Sequence, residues 1–326
     1  MKGARRWALL ILCAVLLSGC GAPPPREEEK PRPVEEKPQP MEEEALISAD
    51  TGGLSASGFN AVLYFRYGTT GYLAPQTRQV AVGRNEAPEH ALVQALLDGP
   101  SGAAPALDGL FPPRTEVLST LSQGDTLFVT FNEAMMGRYA DEGQDAADKT
   151  EGALRRQMCL DALSATLTEA GLCARVQVLV YRGVDQGKSL RLTAGFLDQS
   201  GDETLLPPLT RREDRLLTPH NTAVLILDAW QRQEWAALYD LTARDDARPR
   251  EQAACDAFAD GGTLVSYSVS PGSVSPDGQS AVVSADMTLM GEAGDREIGG
   301  YPLRMRREDG LWKIGYEELA TMMNQD

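Results

Sequence analysis

The stretch Glu89 to Ser119, "EHALVQALLDGPSGAAPALDGLFPPRTEVLS", carries the decision on the fold. Leu92, Val93, Leu96 and Leu97 fall at i, i+1, i+4 and i+5, one apolar face of a helix. Pro88 sits in the first turn, where its missing N–H costs no hydrogen bond. Asp98-Gly99-Pro100 then stop the helix. Glycine suits the left-handed position after the cap, and proline cannot continue a helix. A loop of small residues leads to Pro112-Pro113 and the next strand. So glycine-rich a loop raises the alternative of a phosphate cradle. Neither GxxxxGK nor a strand-borne GxGxxG stands here, so the loop reads as helix punctuation.

Outward from this segment, Asn60–Tyr67 and Gln79–Gly83 read as strands around a turn at Gly68–Gly71. Thr115–Leu121 and Thr126–Asn132 flank Ser122-Gln123-Gly124-Asp125, a hairpin signal. Glu151–Ala170 reads as a second amphipathic helix ending at Gly171. Arg175–Arg182 and Lys188–Leu197 read as two further strands. The order ββα-ββα-ββ predicts an α+β layer fold with helices on one face of a sheet.

Four pieces of this region occur in a telling order: Leu63-Tyr64-Phe65; Gly71-Tyr72-Leu73-Ala74-Pro75-Gln76-Thr77-Arg78; Ala95-Leu96-Leu97-Asp98-Gly99-Pro100; and Pro112-Pro113-Arg114-Thr115. The series resembles the GerMN domain, named for a germination and sporulation lipoprotein. The resemblance implies a GerMN-type ββα-repeat sandwich over residues 59–208. It also implies a role in sporulation or germination through binding other envelope proteins. Gln76 stands where that family commonly has Glu, Arg114 stands where it commonly has Gly, and Met135–Lys149 is an irregular insert.

Residues 198–217 are polar and contain Pro207-Pro208; 209–217 is read as a linker. Thr218-Pro219 is an N-cap followed by proline at the first helical position. Asn221–Leu241 and Glu251–Ala259 read as helices. Thr263–Ser270, Gln279–Leu289, Glu297–Arg307 and Leu311–Tyr316 read as strands, with Pro271, Gly278, Gly291, Gly294 and Gly310 at the turns. Helices followed by antiparallel strands fit an α+β cone. With "AWQRQEWAALYDLT" and "REDGLWKIGYEEL", residues 218–326 are similar to NTF2-like accessory domains of secreted proteins. That similarity implies a cone able to enclose an apolar cavity. Trp230, Trp235, Tyr239, Tyr267, Tyr301, Trp312 and Tyr316 would either line it or fill the core.

At the N-terminus, Lys2, Arg5 and Arg6 precede an apolar run, Trp7–Leu17, that is too short to span a bilayer. Residues 1–19 therefore read as a signal peptide. Leu17-Ser18-Gly19-Cys20 resembles the bacterial lipobox, which implies lipidation of Cys20 and a membrane anchor through that lipid. The residues that follow, 20–58, are rich in Pro and Glu and are expected to be a disordered tether.

The chain carries a formal net charge of −16, an acidic balance that repels phosphates and argues against nucleic-acid binding. Cys159, Cys173 and Cys255 remain beyond Cys20, an odd number without a CxxC, and read as buried free thiols, with a Cys159–Cys173 disulfide as the alternative. His90 and His220 each fall in the first turn of a predicted helix, far apart in sequence, and read as surface residues. No spacing offers zinc ligands or a catalytic triad, so no catalytic, metal or cofactor residue is assigned. Glu133, Asp141, Glu142 and Asp145 crowd one loop. They could form an acid/base pair for wall sugars or, as a solvated acidic loop, do no chemistry. The expectation is a non-enzymatic envelope lipoprotein that docks other envelope or sporulation proteins, with peptidoglycan as a further candidate partner. The alternatives are a wall-remodelling enzyme or regulator, and a ligand sensor partnering a membrane kinase.

Overall fold

The computed structural model describes residues 57–102, 106–143, 145–183, 188–291 and 294–324. The predicted signal peptide, Cys20 and all of the tether up to residue 56 lie outside the described residues. The tether's last two residues, Ser57 and Gly58, belong instead to a strand, paired with Val82 and Ala81.

The first region opens with β1 (Ser57–Tyr67) and β2 (Leu73–Val82), an antiparallel pair. β2 is twice the predicted length, because Pro75 sits in it opposite Tyr64. Proline is tolerated there since β2 is the edge of a three-stranded sheet, β2-β1-β3, with β3 at Leu107–Asp108. α1 (Pro88–Leu97) has the predicted bounds, and Gly99 takes the left-handed conformation at φ +81°. β4 (Val117–Gln123) and β5 (Thr126–Phe131) form the predicted hairpin, turning at Gly124 with φ +62°.

α2 (Ala146–Glu169) starts earlier than predicted, capped by the Asp145 carboxylate, which accepts from Asp148 N at 2.8 Å. It crosses over to β6 (Arg175–Tyr181), which pairs parallel to β5. β7 (Ser189–Arg191) completes the sheet β4-β5-β6-β7. The predicted strand Lys188–Leu197 stops there and gives way to a helical turn, Gly195–Asp198. A Cβ on Gly195 would lie 2.5 Å from Ser200 O, so the chain folds back at a spot only glycine fits.

The single-sheet expectation is therefore corrected. There are two sheets, and the C-terminal half of α2 is not amphipathic. Every residue from Met158 to Leu167 is buried, as suits a helix enclosed on all sides. Tyr64 N of β1 donates to Thr166 Oγ1 of α2 at 3.1 Å, satisfying a strand amide that has no ladder partner.

The segment 209–217, read as a linker, is hydrogen-bonded to the first region. Leu209 and Val176 exchange backbone hydrogen bonds of 2.7 and 2.9 Å, and Leu217 N donates to Leu73 O at 2.8 Å. Arg211 donates to Tyr64 Oη at 2.9 Å and pairs with Glu169 at 2.8 Å. Next come α3 (Pro219–Gln231), α4 (Trp235–Asp240) and α5 (Glu251–Ala259). Thr218 caps α3 as predicted, accepting from Asn221 N at 3.2 Å.

The predicted helix Asn221–Leu241 is broken at Gln233, with φ +57°. Gln233 N bonds Trp230 O and Glu234 N bonds Ala229 O, the double C-terminal motif that usually carries glycine. Glutamine in that place hid the break from the sequence.

β8 (Leu264–Val269), β10 (Ser280–Leu289), β11 (Arg296–Glu308) and β12 (Leu311–Ile314) form a curved sheet in the order β12-β11-β10-β8, with β9 (Ser273–Val274) on β10. α6 (Tyr316–Met323) closes the chain. Alternate β10 residues, Ala281 to Leu289, face helices wrapped against one side of the sheet. The result is a ββα-repeat region followed by a curved sheet wrapped by helices.

Candidate functional site

The acidic loop comes apart into structural roles. The Glu142 side chain is buried, and both its carboxylate oxygens accept from Nη2 of Arg156, which is fully buried in α2. A Cβ on Gly152 would lie 2.4 Å from Glu142 Oε1, so this mid-helix glycine makes room for the carboxylate. Burial pushes the Glu142 carboxyl upward in pKa, but the hydrogen bonds from Arg156 and from Tyr139 N prevail and hold it below its ordinary value. Asp141 pairs with Arg155 at 2.6 Å, Asp145 caps α2, and Glu133 opens a short 3-10 turn, Glu133–Met136. These four carboxylates do not converge on one cavity.

His90 and His220 do lie in first helical turns, but both are half-buried rather than surface residues. Cys159, Cys173 and Cys255 are free, with Cys159 buried and the other two half-buried. Burial raises the Cys159 thiol well above its ordinary pKa and keeps it protonated. Among the described residues, no group of three or more His, Cys, Asp or Glu could hold a metal ion.

Of the two readings of the seven aromatics, the core one holds. Trp230 and Trp312 are buried in the core, and Trp230 Nε1 donates to Gly262 O at 2.8 Å. The other five pack against that core, Tyr316 in ring contact with Phe258 at 5.6 Å.

A cleft of about 640 Å³ opens instead between the two regions. Tyr67, Gln76 and Ser101 line one wall; Asp240, Lys313 and the Asp309-Gly310 turn line the other. Both turn residues have positive φ, 51° and 84°, as a two-residue hairpin loop between β11 and β12 requires. A Cβ on Gly310 would stand 3.1 Å from Pro75 O. Lys313 Nζ donates to Asp240 O at the end of α4, a cation capping a helix C-terminus. Burial lowers Lys313 to about 8. Burial, reinforced by the Asp240 charge, raises Tyr67 to about 12. Gln76 Oε1 accepts from Ser101 N at 3.0 Å, and Glu308 accepts from Arg244 N at 2.9 Å. Much of the polar lining is thus already engaged by protein partners.

Three of the four sequence pieces that carry the family resemblance meet at the C-terminal end of α1. The C′ residue Gly99 donates to Leu96 O, but the next residue, Pro100, has no N–H for the carbonyl of Ala95. Arg78 supplies the donor. Its guanidinium bonds Ala95 O, bonds Gly99 O at 3.0 Å, and lies 5.9 Å from the Phe65 ring centre. The Phe, Arg and Gly-Pro positions are therefore one interlocked structure, a role that sequence spacing alone did not disclose. Arg114, standing where the family commonly has Gly, has φ +65° after Pro113, the conformation for which type II turns select glycine.

Residues 62–181 match the family model described as "Germane: Sporulation and spore germination". The match covers less than half of the chain and supports a GerMN-like domain there. For residues 62–181 the match agrees with the expectation of a non-catalytic interaction module. Among curated proteins no match is found.

Three solved structures are similar in part. The tandem GerMN domains of the sporulation protein GerM from Bacillus subtilis share 17% identity over 51% of this chain and 50% of that one, with TM-score 0.31. The chain thus spans about half the length of that relative. A putative lipoprotein from Clostridium perfringens shares 16% identity over 49% of this chain and 93% of that one, with TM-score 0.28. A single-residue variant of a protein of unknown function from Mycobacterium tuberculosis shares 20% identity over 29% of this chain and 64% of that one, with TM-score 0.24. Among the described residues, no helix is long and apolar enough to cross a membrane.

Proposed function

We propose that this chain is an envelope lipoprotein, anchored through lipid on Cys20, that works as a non-enzymatic docking module in sporulation or spore germination. The observation that carries this reading is the family match over residues 62–181, on a domain where three of the four candidate carboxylates, Asp141, Glu142 and Asp145, are engaged in ion pairs or helix capping. The order of apolar run, small residues and cysteine at the N-terminus supports the anchor. A Pro/Glu-rich tether would then hold the folded part away from the membrane. In this reading residues 59–208 form a GerMN module and residues 218–326 an NTF2-like one, strapped together by the segment between them. The partners are other envelope or sporulation proteins.

The test is in-cell crosslinking of the tagged chain and its Cys20→Ser variant, in growing and in spore-forming cells. Partners are identified by mass spectrometry after membrane fractionation. The expected result is wild type in the membrane fraction, bound to spore-envelope proteins only in the second culture, and the variant released. Recovery of the same wall enzymes or a membrane kinase in both cultures would overturn the docking role. An unchanged distribution of the variant would overturn the anchor.

A further inference from the structure

We infer that the free edge of β4 pairs antiparallel with β4 of a second copy of this chain, centred on Leu121. This goes beyond the docking role and does not depend on the anchor.

The two edges of the sheet β4-β5-β6-β7 are treated differently. β7 is three residues long, carries Arg191, and is continued by a covering segment: Leu206 N donates to Leu192 O at 2.9 Å and Thr193 bridges Leu205. β4 packs against α1, but among the described residues no segment pairs with its outer edge. Among the described residues, Leu118–Gln123 make no backbone hydrogen bond outside the β4–β5 ladder. An open edge offers unpaired amides and carbonyls to another strand, and proteins usually guard such edges with charge, proline or a bulge. The register irregularity of β4 lies between Val117 and Ser119, which leaves Ser119–Gln123 regular and unguarded.

Composition selects the occupant. Leu118–Gln123, "LSTLSQ", has no charge in a chain of net charge −16. Most of this acidic surface repels a second copy; this strand does not. Leu121 is the midpoint of the regular segment and is 65% exposed, the most exposed large apolar side chain described. An antiparallel pair centred there sets Ser119 opposite Gln123, Thr120 opposite Ser122, and Leu121 opposite its own copy. Leu121 already lies opposite Phe128 within the hairpin. The dimer therefore builds one apolar row, Phe128–Leu121–Leu121–Phe128, across a continuous eight-stranded sheet. No like charges face each other in this register. Five paired residues span about 17 Å. That is less than a standard interface of about 1,200–2,000 Å² needs, so the association depends on concentration.

The test uses Leu121→Cys and Gln123→Cys in the full chain, oxidised in intact cells and read on non-reducing gels. Directly opposite residues have Cα atoms about 4.5–5.5 Å apart, close enough for a disulfide. Gln123, displaced by four residues from its own copy, is too far. The expected result is a reducible band of twice the chain mass for Leu121→Cys, at least about tenfold stronger than for Gln123→Cys or wild type. In sedimentation of the purified chain, Leu121→Glu is expected to stay monomeric where wild type self-associates. A thermal melt shows that the exposed substitution leaves the fold intact. Equal crosslinking at both positions, no dimer band, or a Leu121→Glu chain that still dimerises overturns the pairing. A crosslinked product of another mass places a different protein on the edge and also overturns it.

Discussion

Arg78 and Pro100 offer a sharp test of why the family pieces occur together. Arg78→Met removes two charge-assisted hydrogen bonds to carbonyls at the end of α1. It leaves Ala95 O without the donor that Pro100 cannot supply. Bonds to charged groups are worth about 1.5–3 kcal/mol net, and a cation at a helix C-terminus adds about 0.3–1. Arg78 is half-buried and its two bonds share one side chain, so the expected loss is about 2–4 kcal/mol. Pro100→Ala in the wild type restores an N–H that Ala95 O does not need. It also loosens the unfolded chain, giving a change of about 0 to 1 kcal/mol destabilising. In the Arg78→Met background the same N–H has an orphan carbonyl to satisfy and recovers about 1 kcal/mol. The assay is urea unfolding of the four chains, followed by far-UV circular dichroism. A coupling near 1 kcal/mol supports the mechanism. Additivity within about 0.3–0.5 kcal/mol refutes it, because independent sites behave that way.

Two further outcomes follow from the backbone and from burial. Arg114→Gly relieves a left-handed residue costing about 1–2 kcal/mol, less the entropy glycine adds to the unfolded state. A net gain of about 0.5–1 kcal/mol is expected in thermal melts, and Arg114→Ala, which keeps the conformation, is expected to gain nothing; an equal gain from both would implicate the side chain instead. Between pH 8 and 10 the unfolded chain keeps the Lys313 proton while the folded chain, titrating at about 8, releases it, so the unfolded state binds more protons and this residue adds stability as pH rises. Stability measured across that range is expected to rise by about 2 kcal/mol more in wild type than in Lys313→Met, and parallel curves would contradict a buried Lys313.

Local signals made much of the architecture legible. The ends of α1, the Gly171 stop of α2, the bounds of α5 and the turns at Gly124 and Asp309-Gly310 were all readable because caps, glycines and apolar periods act over a few residues. The same reasoning missed Pro75, whose place in a strand depends on that strand being an edge. It missed the break at Gln233, where glutamine does what glycine usually does. The acidic cluster was visible as composition, but its meaning was not. Glu142 and Asp141 are each fourteen residues from their arginines, and only the packing of α2 brings them together.

Most element types, their order and the stops between them were legible locally, because those depend on each residue's own backbone and its nearest neighbours; the closing helix α6, the helical turn at Gly195–Asp198 and the break at Gln233 were not. Only long-range packing makes Met158–Leu167 of α2 buried on every side, brings Arg78 to a helix seventeen residues away, and, among the described residues, leaves the β4 edge unpaired while the β7 edge is covered. Those outcomes rest on contacts between segments distant in the chain, and no local pattern of side chains encodes which distant partner arrives.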